Sequence, residues 1–178
     1  MRSMIIESSL KVRKAIPKIE SNFKVKVNIS PKKVVIKGDE LNEFIVENIL
    51  HAVDFGFDIA DALLLKNEHF VLEFMSVKEH TKRGNLEEVR GRVIGTDGKA
   101  KRTIEELTGS ALFIKGNTIG IIVDSDHLES CVQALSSLIH GAKHSNVFSY
   151  LERKNTDLRK VDKGDLGLKA GMENLDDE

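Results

Sequence analysis

The chain is poor in the residues that build disulfide frameworks, large aromatic cores and membrane spans. Its 178 residues include one cysteine, two prolines, no tryptophan and only 5% aromatic residues. The single cysteine, Cys131, excludes an internal disulfide and is typical of a protein of the reducing cytoplasm, where we expect this chain to act. No apolar run approaches the length of a membrane helix, and no signal peptide is evident. The core must therefore be built from Ile, Leu and Val.

Patterns of catalytic and metal-binding residues are also missing. The six histidines are scattered without an H-E-x-x-H pair, and one cysteine cannot complete a zinc site. The run Asp124-Ser125-Asp126 lacks the glycine and the glutamate of a calcium loop, so we interpret it as a helix cap. No G-x-S-x-G sequence is present. We therefore predict a binding protein that is not an enzyme and that needs no cofactor or metal.

The net charge of −1 hides an uneven distribution of charge along the chain. Residues 1–40 carry a net charge of +6, and residues 78–103 carry +4. The intervening stretch 41–75 carries −6, while 104–151 and 152–178 carry −3 and −2. Because the local field decides whether a phosphate is attracted, the overall balance does not exclude RNA as a ligand.

The most informative pattern is a glycine pair, Gly95 and Gly98, within the segment 91–109. Five basic residues surround it, namely Arg90, Arg92, Lys99, Lys101 and Arg102. Glycines at this spacing let a sugar-phosphate backbone approach the main chain, and a helix that starts there presents the positive end of its dipole. The pattern resembles the GXXG loop of a KH domain, which clamps about four single-stranded nucleotides.

The spacing of the glycines excludes two common phosphate-binding motifs. A P-loop needs Ser or Thr after Gly-Lys, but Ala100 follows Lys99, and the spacing of Gly91, Gly95 and Gly98 is not that of a dinucleotide fingerprint. An ordinary helical turn with a solvated basic face also fits a GXXG sequence. The apolar pair before the loop and the helix and strand pattern after it favour the KH interpretation.

The second half of the chain predicts the order strand, helix, turn, helix, strand, strand, helix. Asn85 is a candidate cap for the first helix, and Thr108-Gly109 is a stop signal for the second. Gly116-Asn117 predicts a hairpin. The last helix carries an apolar stripe of period 3.6, formed by Leu128, Cys131, Val132, Leu135, Leu138 and Ile139.

The first half repeats the later part of this order at an offset of about 85 residues, which indicates duplicated units. Lys18-Ile19-Glu20 aligns with Thr103-Ile104-Glu105, and Gly95 and Gly98 then fall on Leu10 and Arg13. No glycine occurs before Gly38, so the first half lacks the loop. A contact of its Lys11, Arg13 and Lys14 with RNA and a solvated helix face are equally compatible with the sequence.

We therefore predict an α+β fold of two tandem type I KH domains (β-α-α-β-β-α), the first degenerate. The predicted boundaries are 1–66 for the first domain with an extra connecting helix over 57–65, and 67–143 for the second. A C-terminal helix over 144–160 and a flexible tail over 161–178 complete the prediction.

These motifs resemble one family. The runs 90–102 and 104–109, together with Gly141-Ala142-Lys143-His144-Ser145-Asn146-Val147-Phe148 and Leu151-Glu152-Arg153, are similar to the archaeal partner-of-Nob-one (Dim-two) family of pre-ribosomal RNA-processing KH proteins. The resemblance covers about residues 1–155. It implies a small-subunit assembly factor that binds the 3′ region of small-subunit rRNA beside the Nob-one endonuclease. A contact with the alpha subunit of translation initiation factor two is also implied.

The candidate RNA-binding residues surround the glycine pair: Arg90, Arg92, Val93, Ile94, Gly95, Thr96, Asp97, Gly98, Lys99, Lys101 and Arg102. The candidates for an apolar floor under the bases are Val93, Ile94, Ile104, Leu112 and Ile114, and most of them are equally candidates for the core. We expect Ile94 to lie most directly at the bases. Two other functions stay open: a protein-interaction scaffold built on KH folds, and an accessory protein of general RNA turnover.

Overall fold

The computed structural model describes residues 1–82 and 84–162. Two three-stranded antiparallel sheets, each covered by helices, make up this part of the chain. We call residues 2–55 the first unit and residues 70–140 the second unit. Within the described residues no helix is long and apolar enough to cross a membrane, and no group of His, Cys, Asp and Glu is arranged to hold a metal ion.

The first unit has the order β1 (Arg2–Ile5), α1 (Ser9–Asn22), β2 (Val25–Ser30), β3 (Lys33–Gly38) and α2 (Glu40–Phe55). Its strands are ordered β1-β3-β2. Alternation of apolar and polar residues places Val25, Val27, Val34 and Ile36 on one face of the sheet, where they are buried in the core. Only one helix joins β1 to β2, so the predicted pair of helices is wrong for this unit.

A connecting segment joins the units. It consists of α3 (Ile59–Ala62) and a 3-10 turn (Leu63–Lys66), where a single helix was predicted. Asp58 occupies the N-cap position of α3, but its side chain does not accept a capping hydrogen bond. Ala62 and Leu65 are buried in the same core as the first unit.

The second unit has the predicted order. It comprises β4 (Phe70–Ser76), α4 (Leu86–Ile94), α5 (Lys99–Thr108), β5 (Ala111–Lys115), β6 (Thr118–Asp124) and α6 (Ser125–His140), with strands ordered β4-β6-β5. The Asn85 side chain accepts from the Glu88 amide at 3.2 Å, and Gly109 ends α5 with φ +62°. The Asp124 carboxylate caps α6 by accepting from the Asp126 amide at 3.0 Å.

A last helix, α7 (His144–Asp162), packs against α5 and α6. It begins where the predicted C-terminal helix begins and ends slightly beyond the predicted end. Of the predicted tail, residues 163–178 lie outside the described residues.

The later parts of the two units share several structural features at the predicted offset of 85 residues. Glu20 Oε1 accepts from the amide of Val27 at 2.8 Å, and Glu105 Oε1 accepts from the amide of Leu112 at 2.8 Å. In each unit, a glutamate of the preceding helix thus provides a hydrogen-bond acceptor for a backbone amide of an edge strand. The capping Asp39 and Asp124, and the helices α2 and α6 that follow them, keep the same offset.

The offset changes at the first strand of each unit. Ser3 of β1 lies opposite Val35, and Phe74 of β4 lies opposite Gly120. Val35 and Gly120 are equivalent positions of the repeat, at an offset of 85, whereas Ser3 and Phe74 are related by an offset of only 71. The first unit is therefore shorter, in the region where the second unit has α4 and the glycine pair. Leu10 and Arg13 lie inside the regular helix α1.

The second sheet is covered on both faces. Ile119, Ile121 and Val123 of β6 face the core of the second unit. Ile122, with Ala111 and Phe113 of β5, packs into the core of the first unit. The predicted boundary at residue 66 thus runs beside a core that both units share, and it stays a prediction.

Candidate nucleic-acid interface

The chain between α4 and α5 is a tight turn with three residues at positive φ. Gly95 has φ +74° and ψ 173°, Asp97 has φ +51°, and Gly98 has φ +74° and ψ 13°. We call residues 95–98 the glycine loop. The conformation of Gly95 is open almost only to glycine, and Gly98 lies in the left-handed region that strains other residues.

The two glycines are required for different reasons. A Cβ on Gly95 would lie 2.6 Å from the Ala100 Cβ and 2.7 Å from the Ala100 amide nitrogen. Gly95 therefore lets the loop fold against the first turn of α5. A Cβ on Gly98 would have no atom within 4 Å. The backbone at Gly98 borders open space, where a ligand can approach it closely.

The charge around the loop is positive, but most of the basic side chains already have partners. Arg102 donates to the Asp97 carbonyl oxygen at 2.6 Å and braces the loop. Arg90 donates to the Gly116 carbonyl at 2.9 Å and ties α4 to the β5–β6 hairpin. Lys101 pairs with Glu105 at 2.8 Å. Within residues 1–82 and 84–162, the exposed ammonium of Lys99 has no hydrogen-bonding or ionic partner.

Arg92 points elsewhere. Its guanidinium donates to the carbonyl oxygens of Leu138 at 3.3 Å and Ala142 at 2.7 Å, where α6 ends and its dipole is negative. The His144 ring hydrogen-bonds the Arg92 carbonyl at 2.8 Å. Arg92 therefore joins α4 to the start of α7. This role was missed because nothing in the sequence places residues 92 and 138 side by side.

Three of the five residues predicted to form an apolar floor lie in the core. Val93 and Ile104 are fully buried and Leu112 nearly so, and all three pack in the core of the second unit. Ile114 is half-buried. Ile94 is 37% exposed directly beside Gly95, as required if it contacts bases. The contact of Ile94 with a base stays a prediction.

Glu105 of α5 supports the residues beside the loop, a role that was not predicted, and Asp61 of the connecting segment lies near it. Glu105 holds both Lys101 and the edge of β5. Burial, with the neighbouring carboxylates of Asp58 and Glu105, raises the pKa of Asp61 in the connecting segment. The signal for Glu105 was available, because Glu20 stands at the same place in the repeat.

The exposed parts of the candidate site therefore converge on one short surface. Thr96, Asp97 and Lys99 are exposed, Gly98 is open to solvent, and the positive end of the α5 dipole lies beneath them. An anion at this place meets backbone, helix dipole and one free lysine. This geometry fits a phosphate of a single-stranded nucleic acid.

The second unit and the helix after it are similar to KH domains of known proteins. Residues 71–156 match the second KH domain of the PNO1 family, described as a eukaryotic type KH domain (KH-domain type I). A KH domain-containing protein of Methanocaldococcus jannaschii is 31% identical over 124 residues, which cover 69% of this chain and 55% of that protein. The pre-rRNA-processing protein PNO1 of Debaryomyces hansenii is 32% identical over 58% of this chain and 42% of its own length. The chain thus spans about half the length of the relatives that it matches in sequence.

Solved structures extend the likeness to the first unit. Dim2p from Pyrococcus horikoshii, in a complex described as a/eIF2alpha-aDim2p-rRNA, is 29% identical with a TM-score of 0.75, covering 88% of this chain and 94% of that one. A protein of unknown function from Aeropyrum pernix has a TM-score of 0.82, covering 94% of this chain and 96% of that one. Its identity of 21% supports the fold alone.

Proposed function

We infer from the membership of this chain in the partner-of-Nob-one (Dim-two) family of KH proteins that it is an RNA-binding assembly factor of the small ribosomal subunit. Its ligand is the single-stranded 3′ region of small-subunit rRNA during final processing. The glycine loop clamps the RNA backbone, and the function is binding, with cleavage left to another protein.

One observation carries this proposal. At Gly98 the backbone is bare on the side where a Cβ would meet no atom, and the exposed Lys99 begins α5 immediately after it. A phosphate placed there gains charge-assisted contacts without any rearrangement of the loop. Arg102 holds the Asp97 carbonyl in place, so the loop is preorganised for this contact.

The test is Thr96→Asp in the intact chain, titrated with a single-stranded RNA of about six nucleotides, slightly more than the four that a KH loop clamps. Asp at this exposed position adds negative charge where the phosphate lies, while the nearby α5 dipole tolerates it. We expect affinity to fall at least roughly tenfold, about 1.4 kcal/mol. Thr96→Asn, a neutral side chain of the same size as Asp, is the control and should bind nearly as the parent does.

Equal binding by the Asp and Asn variants, at unchanged thermal stability, would contradict the clamp. Specificity for rRNA is tested separately, by crosslinking in cells followed by sequencing of the attached RNA. The proposal requires reads concentrated in the 3′ region of small-subunit rRNA. A scaffold without RNA contacts, or an accessory protein of general turnover, would give no such concentration.

Partners follow from the relatives. The P. horikoshii complex contains the alpha subunit of initiation factor two together with Dim2p and rRNA, and we propose the same two partners for this chain. The Nob-one endonuclease is proposed on the family resemblance alone. Binding of each purified protein, with and without RNA, tests whether they share the complex or compete.

A further inference from the structure

The outward face of the first sheet is open and basic, and none of the strand residues on it is acidic. Eight residues alternate onto it: Ser3 and Ile5 of β1, Lys33, Val35 and Lys37 of β3, and Asn28, Ser30 and Lys26 of β2. All but the half-buried Val35 are exposed, and Ile5 is 79% exposed. We call Lys26, Lys33 and Lys37 with their surroundings the lysine face.

The equivalent face of the second sheet has the opposite character. Lys26 lies directly opposite Lys37 in the register of the first sheet. Their counterparts in the repeat, Ala111 and Ile122, also lie directly opposite each other, and both are buried in the shared core. The same scaffold thus carries an apolar, covered pair in one unit and an exposed pair of like charges in the other.

The two lysines form an unfavourable pair that the surrounding structure does not neutralise. Directly opposed side chains on antiparallel strands have Cβ atoms about 5 Å apart, and like charges at that distance repel. Among the described residues, no acid pairs with the ammonium groups of Lys26, Lys33 or Lys37. Glu20 lines the hollow beside Lys24, Lys26 and Lys37, but one of its carboxylate oxygens accepts from the Val27 amide.

We propose that the lysine face is a second RNA-binding surface, which contacts the phosphate backbone of the same RNA strand beyond the nucleotides clamped by the glycine loop. Lysine ammonium groups bind phosphates as point charges, and several together release counterions from a polyanion. The eight residues of the face include no aromatic ring on which a base can stack, so the contact is independent of base sequence. The inference rests on the proposed function, since it extends the path of the same ligand.

A backbone contact of this kind strengthens binding only when the RNA is long enough to reach both surfaces. The second contact is then intramolecular, at an effective concentration set by the intervening RNA. Short RNA should be indifferent to the lysine face, and long RNA should depend on it. Dependence on RNA length is therefore the property that separates this surface from the glycine loop.

The experiment compares the intact chain with the triple variant Lys26→Ala, Lys33→Ala, Lys37→Ala. Each is titrated over a series of salt concentrations with single-stranded RNA of about six and about 30 nucleotides. We expect unchanged affinity for the short RNA and a loss of roughly fivefold or more for the long RNA. The salt slope for the long RNA should flatten by about 2, since each lost phosphate contact removes about 0.7. Thermal stability should be unchanged or slightly higher, because repulsion is relieved.

A matched control removes three charges from the same unit on its helical side. Arg13, Lys14 and Lys18 are exposed on α1, which packs against the inner face of the sheet. Their triple alanine variant should bind both RNAs as the parent does. An equal loss in both triple variants would overturn the proposal, since it would reflect net charge and not this face.

Failure of this inference is distinguishable from failure of the proposed function. If long RNA binds the lysine-face variant as tightly as the parent while Thr96→Asp weakens both RNAs, the lysine face is refuted and the clamp stands. If the parent binds neither RNA, the proposed function and this inference both fail. Binding of an acidic protein at this face, with RNA affinity unaffected, also refutes the inference.

Discussion

The two units of this chain use one scaffold for different purposes. Both have the strand order of edge, centre, edge, both tie an edge strand to the preceding helix through a glutamate, and both end in a 16-residue helix capped by aspartate. They differ at two places: the segment of α4 and the glycine loop, which is present only in the second unit, and the outward face of the sheet. The second unit therefore has the glycine loop, and the first unit has an open basic face on its sheet.

The unit without the glycine loop is also the unit whose sheet has an uncovered outward face. In the second unit the outward face of the sheet is needed for the shared core, where the ring centroids of Phe55, Phe57 and Phe113 lie 5.8, 5.9 and 6.2 Å apart. The first unit has no partner on its outward face within the described residues, so lysines are tolerated there. Lys11 of α1 is used differently again, since it donates to the Gly56 carbonyl at 3.1 Å and lies over the Phe113 ring.

The greatest difference in stability is expected between substitutions on the outward faces of the two sheets. Ile122→Ala removes a fully buried side chain from the shared core and should lower the free energy of unfolding by about 3 kcal/mol. Lys37→Ala, at the equivalent place in the first unit, should change it by less than about 0.5 kcal/mol. Urea denaturation of both variants measures the difference. Similar costs at the two positions would mean that the first sheet is also covered in solution.

The two glycines of the loop should differ in the cost of their substitution by alanine. Gly95→Ala should lower the free energy of unfolding by about 2 kcal/mol or more. The alanine would be held in a backbone conformation that strains it, and its Cβ would clash with Ala100. Gly98→Ala adds only the strain of the left-handed region, about 1 kcal/mol. Both are measured by urea denaturation. The first unit supplies the control: Leu10, at the place of Gly95, is an exposed residue of helix α1, so Leu10→Ala should be nearly neutral.

Smaller changes in stability and RNA affinity should distinguish the structural basic residues of the second unit from the RNA-binding ones. Arg92→Ala loses two hydrogen bonds to the end of α6 and should cost about 1.5 kcal/mol of stability, with little change in RNA affinity. Lys99→Ala should leave stability unchanged, weaken RNA binding and flatten its salt slope by about 0.7. Denaturation and salt titration on the same variants check the division. A Lys99→Ala variant with a full salt slope would contradict it.

The last prediction concerns the chemical reactivity of the cysteine. Burial raises the pKa of the Cys131 thiol to about 11, so almost no reactive thiolate exists at pH 8. We expect a thiol reagent to modify the folded chain far more slowly than the urea-unfolded chain. Rapid modification of the folded chain would show that α6 opens. The second unit would then be the less tightly packed of the two units.

Much of the second unit could be predicted from its sequence because the signals are local. The glycine pair, Asn85, Gly109 and the 3.6-period stripe of α6 each act on neighbouring residues. The roles of Arg92 and Ile122 could not be predicted, since each depends on a contact between segments far apart in sequence. The missing helix of the first unit was not anticipated either. The offset of the repeat aligns α1 with the glycine loop and α5. Only the pairing of β1 with β3 shows that the first unit lacks a segment equivalent to α4.

The shared core also changes how the units should be compared. Fragments cut at residue 66 would expose Phe113 and Ile122, so loss of binding in a fragment could reflect loss of folding. Substitutions at equivalent positions of the intact chain avoid this ambiguity. Lys14 and Lys99 are such a pair in the repeat, and both are exposed.

The most direct test of the division between the units is therefore the affinity of Lys99→Glu and of Lys14→Glu for an RNA of about six nucleotides. The two substitutions change the charge equally, and glutamate is tolerated both in the first turn of α5 and within α1. We expect Lys99→Glu to lose about tenfold in affinity, about 1.4 kcal/mol, and Lys14→Glu to lose less than about twofold. Equal losses at the two positions would contradict a division of roles between the units, since both units would then hold the RNA in the same way.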